Sequence, residues 1–148
     1  MSKKHHTLFF SINLILPLIA GAILYYWFHP SIFLSKCIYQ IIHIDISSKY
    51  RNIWQGSFLG YVLRYYCSDF LWAYSLCIAL MWVREEYHRS LKQTIIICVC
   101  VDVIMEIIQL LPLFQGVFDV IDILVQLFGT AIATAIVLVY SCISNPHK

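Results

Sequence analysis

Charged side chains are scarce in this sequence, and their scarcity argues against an ordinary soluble protein. Of the 148 residues, 12% are charged and 61% are hydrophobic, whereas a typical soluble domain has about 25% and 45–50%. The mean hydropathy is +0.78. A chain of this composition has too few polar side chains to cover a compact fold in water. The sequence therefore predicts a protein that resides in a lipid bilayer.

The motifs of common enzymes and nucleic-acid binders are also missing. The net charge is only +2, and neither a basic run nor a glycine-rich phosphate loop occurs, which argues against a nucleic-acid partner. The six histidines are scattered and the six cysteines form no C-x-x-C pair, so the sequence predicts no metal site and no cofactor. Cys37 and Cys67 share a polar segment, and a disulfide between them stays an open alternative.

Apolar segments separated by charged or proline-containing turns predict membrane-spanning helices. About 20 apolar residues, each rising 1.5 Å, cross the roughly 30 Å of hydrocarbon in a bilayer. The chain is predicted to be an all-α, multi-pass membrane protein that forms one domain over residues 1–148. Its four transmembrane helices are expected at about 7–28, 68–83, 94–112 and 117–140. Residues 32–46, where polar residues interrupt the apolar spacing, predict an interfacial helix.

Lysine and arginine favour the cytoplasmic side of membrane proteins and so predict the orientation. With the N-terminus inside, six of these residues face the cytoplasm and four face outward. The sequence thus predicts a plasma (inner) membrane protein with both termini in the cytoplasm. Trp72 and Tyr74 are interpreted as anchors at the membrane interface. The small residues within 129–135 predict a close approach between helices.

Polar side chains interrupt the third and fourth spans at helical spacing. In each span the spacing places three of them on one face of a helix. They are Asp102, Glu106 and Gln109 in the third span and Asp119, Asp122 and Gln126 in the fourth. A charged residue at the bilayer centre costs about 2.5–3.5 kcal/mol on insertion scales. These faces are therefore expected to point into the bundle or toward water.

If the two spans fold back as a hairpin about Phe114, their polar residues meet in pairs. The predicted pairs are Asp102 with Gln126, Glu106 with Asp122, and Gln109 with Asp119. Two carboxyls at one depth need compensation: one keeps its proton, a cation lies between them, or a basic side chain reaches in. Arg64, close in sequence to Asp69, is the best-placed basic residue for a charge-assisted pair.

These polar residues admit three kinds of function. The leading interpretation is a non-enzymatic protein whose outer-leaflet pocket binds membrane lipids or a cell-envelope precursor. The pocket wall would be Glu106, Gln109, Asp119 and Asp122, with Arg64 and Asp69 at its mouth. The first alternative is a small proton- or cation-coupled transporter subunit that relays through Asp102 and Glu106. The second is a scaffold for other membrane proteins, in which the acids only fix helix register. A lipid-modifying enzyme would need a nucleophile–base pair, which the sequence lacks.

The same polar motifs resemble the VanZ-like family of small multi-pass bacterial membrane proteins. The resemblance covers about residues 64–135 and rests on Glu106-x-x-Gln109 and on Phe118-Asp119-x-x-Asp122-x-x-x-Gln126-x-x-Gly129. Two positions depart from the family: Asn is usual at position 126, and an arginine often precedes the Phe-Asp pair. The founding member is associated with resistance to the glycopeptide teicoplanin. The resemblance therefore implies a single VanZ-like transmembrane domain with a role in the cell envelope.

Overall fold

The fold is given by a computed structural model that describes residues 3–28, 40, 56–84, 87–110 and 119–144. These residues form helices and no strands, which confirms the all-α prediction. The helices are α1 (Lys3–Phe28), α2 (Phe58–Tyr65), α3 (Cys67–Val83), α4 (Tyr87–Gln109) and α5 (Val120–Ser144). The predicted interfacial helix 32–46 lies outside the described residues, apart from Gln40. Cys67 is a free thiol, and Cys37 also lies outside the described residues.

Two helical segments are long and apolar enough to cross a membrane, Lys4–Phe28 and Val120–Ser144. Helices α2 and α3 meet at a 45° bend and supply a third candidate if the pair is counted as one span. Helix α4 is 23 residues long, but acidic and basic side chains interrupt it. The described residues therefore contain candidate helices for two of the four predicted spans, or for three with the bent pair, and are compatible with a membrane protein.

Helix α3 is the centre of the bundle. It packs along α1 and α5 and also contacts α2 and α4. Its buried residues lie on more than one face, as expected for a helix surrounded by others. Ser75, buried among apolar neighbours, satisfies its hydroxyl by donating to the Leu71 carbonyl at 2.8 Å. Helices α1 and α4 both pack on α3 but make little contact with each other.

Aromatic contacts fix the direction of the helices. Near the start of α1, Phe9 stacks on Tyr140 of α5 with ring centroids 3.7 Å apart. Phe10 stacks on Trp82, near the end of α3, at 6.2 Å. The start of α1 therefore shares one end of the bundle, the closed end, with the last turns of α3 and α5. The opposite end, the polar end, contains the last turns of α1 and α4 and the first turns of α3 and α5.

The closed end and the middle of the bundle form the apolar core. Its members come from α1, α3, α4 and α5, so this core joins all four long helices. The fully buried residues are Phe10, Cys77, Ile78, Met81, Cys98, Ala133 and Val137. Close packing of these side chains against one another stabilises the core.

Glycine brings α3 and α5 together. A Cβ atom built on Gly129 would lie 2.6 Å from the backbone oxygen of Phe70, closer than real side chains allow. Ala133, one turn further along α5, is fully buried. Small residues therefore let the two backbones approach, which confirms the close approach predicted for residues 129–135.

A polar contact joins α1 to α3. The Tyr74 hydroxyl donates to Asn13 Oδ1 at 2.7 Å, and Asn13 Nδ2 donates to the Phe9 carbonyl at 2.9 Å. Tyr74 is 6% exposed, so its interpretation as an interface anchor is wrong. The hydroxyl has a buried partner, and the side chain fixes α1 against α3.

Candidate functional site

A cavity opens at the polar end because α1 and α4 lie on α3 without packing against each other. Its volume is about 630 Å³, within the range of roughly 300–1,000 Å³ that small-molecule sites occupy. Helices α1, α3, α4 and α5 all contribute to its lining.

The cavity has one apolar and one polar wall. Helix α1 supplies the apolar and aromatic wall, which consists of Pro17, Leu18, Gly21, Ala22, Tyr25 and Tyr26. The other helices supply the polar groups, which are Ser68, Asp69, Glu106, Gln109 and Gln126, together with the larger apolar residues Trp72 and Met105. A wall of each kind on facing sides suits a molecule that is itself amphipathic.

Glu106 lies at the floor of the cavity and is held by two amides. Gln109 Nε2 donates to Glu106 Oε1 at 3.1 Å, and Gln126 Nε2 donates to the same oxygen at 3.2 Å. The second carboxylate oxygen, Oε2, is buried without a hydrogen-bond partner. Both amide donors therefore converge on one oxygen and leave the other unsatisfied.

The contact between Glu106 and Gln126 corrects the predicted hairpin register. Gln126 was expected opposite Asp102, but it bonds Glu106, four residues or about one turn further along α4. Glu106 thereby receives an amide donor instead of the predicted Asp122 carboxyl. The observed register stabilises the buried charge with a hydrogen bond, whereas the predicted one would place two acids face to face.

The predicted pairing of Gln109 with Asp119 is also replaced. Gln109 bonds Glu106 within its own helix. Asp119 Oδ1 accepts from the backbone N–H of Ile121 at 2.8 Å, just where α5 begins. A carboxylate in this position satisfies a free N–H of the first turn and interacts favourably with the helix dipole. The described contact of Asp119 is therefore a structural one.

Arg64 does not form the predicted pair with a carboxylate. Its Cζ atom lies 5.4 Å from the centroid of the Tyr65 ring. Its Nε atom is buried without a hydrogen-bond partner. Contact with an aromatic face is itself favourable for a guanidinium group. The Arg64 side chain therefore has an aromatic partner at the end of α2. No basic side chain is among the described residues that line the cavity.

The remaining predicted site residues take different positions. Asp69 lines the cavity. Asp122 is close enough to Asp69 and Glu106 for electrostatic repulsion, but it is not among the lining residues. Asp102 is 1% exposed and lies behind the cavity, with both carboxylate oxygens unpartnered. The structure therefore brings four of the eight predicted residues into the cavity wall: Asp69, Glu106, Gln109 and Gln126.

Comparison with protein-family models, with curated proteins and with solved structures finds no match. What this site can do therefore follows from its own chemistry. Within the described part of the chain, no group of three or more His, Cys, Asp or Glu side chains could hold a metal ion. The polar wall offers carboxylate and amide groups, which suit ligands that carry hydrogen-bond donors or positive charge.

Sequence reasoning missed the α1 wall of the cavity. Residues 7–28 are almost uninterrupted apolar sequence and contain no polar side chain after Asn13 other than the tyrosines and the tryptophan near the end, so no periodic pattern marks the side of α1 that faces the cavity. A usable signal was the small pair Gly21 and Ala22, four and five residues after Pro17, because small residues leave room beside a helix. Trp72, interpreted as an interface anchor, also lines the cavity.

Proposed function

We propose that the chain is a four-span protein of the bacterial inner membrane, related to the VanZ-like family, with both termini in the cytoplasm. Helix α4 would be the third span. Its carboxylates at Asp102 and Glu106 are each 1% exposed, so crossing the bilayer need not place either charge in lipid. From Ile96 to Ile107 the exposed residues of α4 carry no charge and are mostly apolar, with Ile96, Ile104 and Ile107 among them.

Contacts among the motif residues support the family relationship. Glu106, Gln109 and Gln126 are joined by hydrogen bonds. Gly129, the last residue of the motif, makes the close contact with α3. Four positions that carry the resemblance thus meet in one region of the bundle, where they fix the contacts of α4 and α5.

Within this arrangement the cavity is a non-catalytic binding site for the headgroup of a membrane lipid or cell-envelope precursor. The observation that carries this proposal is the pairing of a polar wall with an apolar, aromatic one between two helices that barely touch. The headgroup would lie at Asp69, Ser68 and Gln109. The acyl chain would follow Pro17, Leu18 and Gly21 along α1 toward the surrounding lipid.

The charge of the cavity selects the headgroup. Asp69 and Glu106 line it and no described lining residue is basic, so a bare phosphate would be repelled. An ammonium or hydroxyl group can instead donate to the Asp69 carboxylate in a charge-assisted hydrogen bond. We therefore expect an amine- or hydroxyl-bearing headgroup.

Lipid retention by the purified protein tests this function. The protein is extracted in mild detergent, and its bound lipids are measured by native mass spectrometry for the wild type and for Asp69→Asn. Loss of a charge-assisted hydrogen bond, about 1.5–3 kcal/mol, should reduce retention of the amine-bearing lipid at least about tenfold. Asp122→Asn is the matched control, because it removes a neighbouring carboxyl that does not line the cavity. Equal lipid content in Asp69→Asn and the wild type would contradict the proposal.

A further inference from the structure

Among the residues that the structure describes, five buried oxygen atoms at and behind the cavity wall have no hydrogen-bond partner. They are Asp102 Oδ1, Asp102 Oδ2, Glu106 Oε2, Gln126 Oε1 and Thr130 Oγ1. We call these atoms the inner oxygen cluster. The side chains that carry them are between 1% and 4% exposed. A buried polar atom without a partner costs about 1–3 kcal/mol, so five of them on two packed helices require an explanation.

The helix register places these atoms together. The hydrogen bond between Gln126 and Glu106 aligns α4 with α5 at one level. Since the two helices run antiparallel, Asp102 and Thr130 each lie one turn, about 5.4 Å, closer to the closed end. Both side chains are buried and so face the bundle.

Within the described residues, no side chain makes a hydrogen bond to any of these five atoms. The side-chain amides of Gln109 and Gln126 both bond Glu106 Oε1. Arg64 contacts Tyr65 instead. Toward the closed end, the Cys77 thiol contacts Thr134 Oγ1 at 3.6 Å. The Thr130 hydroxyl and the second N–H of each amide are donors, but none of them bonds Asp102, so this carboxylate has no hydrogen-bond donor among the described residues.

We propose that the inner oxygen cluster binds a small monovalent cation of the sodium class. Carboxylate, amide and hydroxyl oxygens are the ligands that hard cations prefer. Asp102 would bind through both oxygens, with Glu106, Gln126 and Thr130 each adding one. One positive charge balances Asp102, the carboxylate that lacks any donor, while Glu106 already accepts two amide N–H groups. A single proton on Asp102 would supply one donor within the cluster, whereas a cation can contact all five oxygens.

The position of the cluster indicates a bound ion rather than a conducted one. Glu106 and Gln126 also line the cavity, so an ion can enter from the polar end. In the other direction, the buried side chains of Phe10, Ile78 and Met81 fill the bundle. The cation therefore locks α4 to α5 beneath the headgroup site.

Thermal unfolding of the purified protein in detergent tests the cation site without reference to any lipid. Melting temperatures are compared in NaCl, KCl and choline chloride at equal ionic strength and pH 8. Sodium at about tenfold its dissociation constant should raise the Tm of the wild type by about 3 °C or more over choline. Asp102→Asn and Thr130→Val should each abolish this rise. Thr134→Val, which removes a hydroxyl one turn away that already has a partner, should retain it.

Three results would overturn the proposal. Equal Tm values for the wild type in NaCl and choline chloride would exclude a sodium site, whether or not the variants fold. A sodium response that survives in Asp102→Asn would place the ion elsewhere. Stabilisation by acid alone in choline chloride, with no sodium effect at pH 8, would assign the cluster to protons instead. None of these outcomes bears on whether Asp69→Asn retains less lipid. The cation site and the lipid-binding cavity are therefore tested independently.

Discussion

The two ends of this bundle are built from the same helices but differ in how completely they are packed. At the closed end, Phe10, Ile78 and Met81 are almost fully buried, and Phe9 stacks on Tyr140. At the polar end, α1 and α4 separate around a cavity of about 630 Å³, and five buried oxygens behind it lack partners. The closed end is thus tightly packed, whereas the polar end contains buried polar atoms that lack hydrogen-bond partners.

This difference indicates where stability and binding reside. An apolar contact in a membrane bundle stabilises the fold through close packing, whereas unpartnered buried polar groups destabilise it unless a ligand or ion supplies their partners. Substitutions at the closed end should therefore lower stability and leave binding intact. Substitutions of polar side chains that line the cavity should weaken binding and change stability less.

The largest effect is expected for Ile78→Ala at the closed end. Ile78 is fully buried in the core, and truncation should leave a cavity that lowers the free energy of unfolding by about 2–5 kcal/mol. Leu18→Ala is the comparison, because Leu18 lines the existing cavity and its loss should cost less than about 1 kcal/mol. Denaturant titration in mixed micelles measures both. Similar losses for the two variants would contradict the contrast between the ends.

A smaller effect is expected for Gly129→Ala, which tests the contact between α3 and α5. The added Cβ would meet Phe70 O at 2.6 Å, so the backbones must separate, at a cost of about 1–3 kcal/mol. Gly21→Ala is the matched control on the cavity side. Its Cβ would lie 3.5 Å from the nearest atom, Leu71 Cβ, an ordinary contact. The better helix propensity of alanine should make this control neutral or slightly stabilising. The same titration measures both variants, and a neutral Gly129→Ala would refute the close approach.

The smallest effect is expected for Tyr74→Phe. The change removes the hydrogen bond from the Tyr74 hydroxyl to Asn13 Oδ1 and keeps the ring in place. A membrane hydrogen bond of this kind contributes about 0.6–1.7 kcal/mol, so a loss of that size is expected. Tyr61→Phe is the control, since its hydroxyl makes an exposed 3.4 Å contact with Tyr66 and should contribute almost nothing. A loss in the control as large as in Tyr74→Phe would remove the special role of the buried bond.

The helical fold and a close helix contact at residues 129–135 could be predicted because they follow from local composition, although the partner helix α3 could not. Apolar runs predict helices, and a small residue such as Gly129 predicts close approach whatever its partner is. The detailed register of α4 and α5 could not be predicted by symmetry. The Glu106–Gln126 bond is symmetric about residue 116, whereas the sequence pattern favoured position 114. The two registers differ in which side chain donates to the buried Glu106 carboxylate. Residue spacing alone does not reveal that donor.

The candidate site was predicted in its chemistry but not in its shape. The carboxyl and amide residues at 69, 106, 109 and 126 were identified from their position within apolar segments, and the structure places them in one cavity wall. The facing wall from α1 was not identified, because an almost uniformly apolar segment gives no periodic sign of which side faces the cavity. Arg64 was expected at the mouth of the pocket because it is close in sequence to Asp69. Its contact with Tyr65 depends on the geometry of α2, which the sequence does not reveal.

Photo-crosslinking from α1 in native membranes tests the lipid-binding cavity most directly. A photoreactive phenylalanine analogue is placed at Leu18, which lines the cavity, or at Ile19, the next residue, which is exposed and is not a lining residue. Mass spectrometry of the adducts then identifies the lipids captured at each position. The account predicts that Leu18 captures one amine- or hydroxyl-bearing lipid class in clear excess, while Ile19 captures lipids in their bulk proportions. The same lipid distribution at both positions would contradict it.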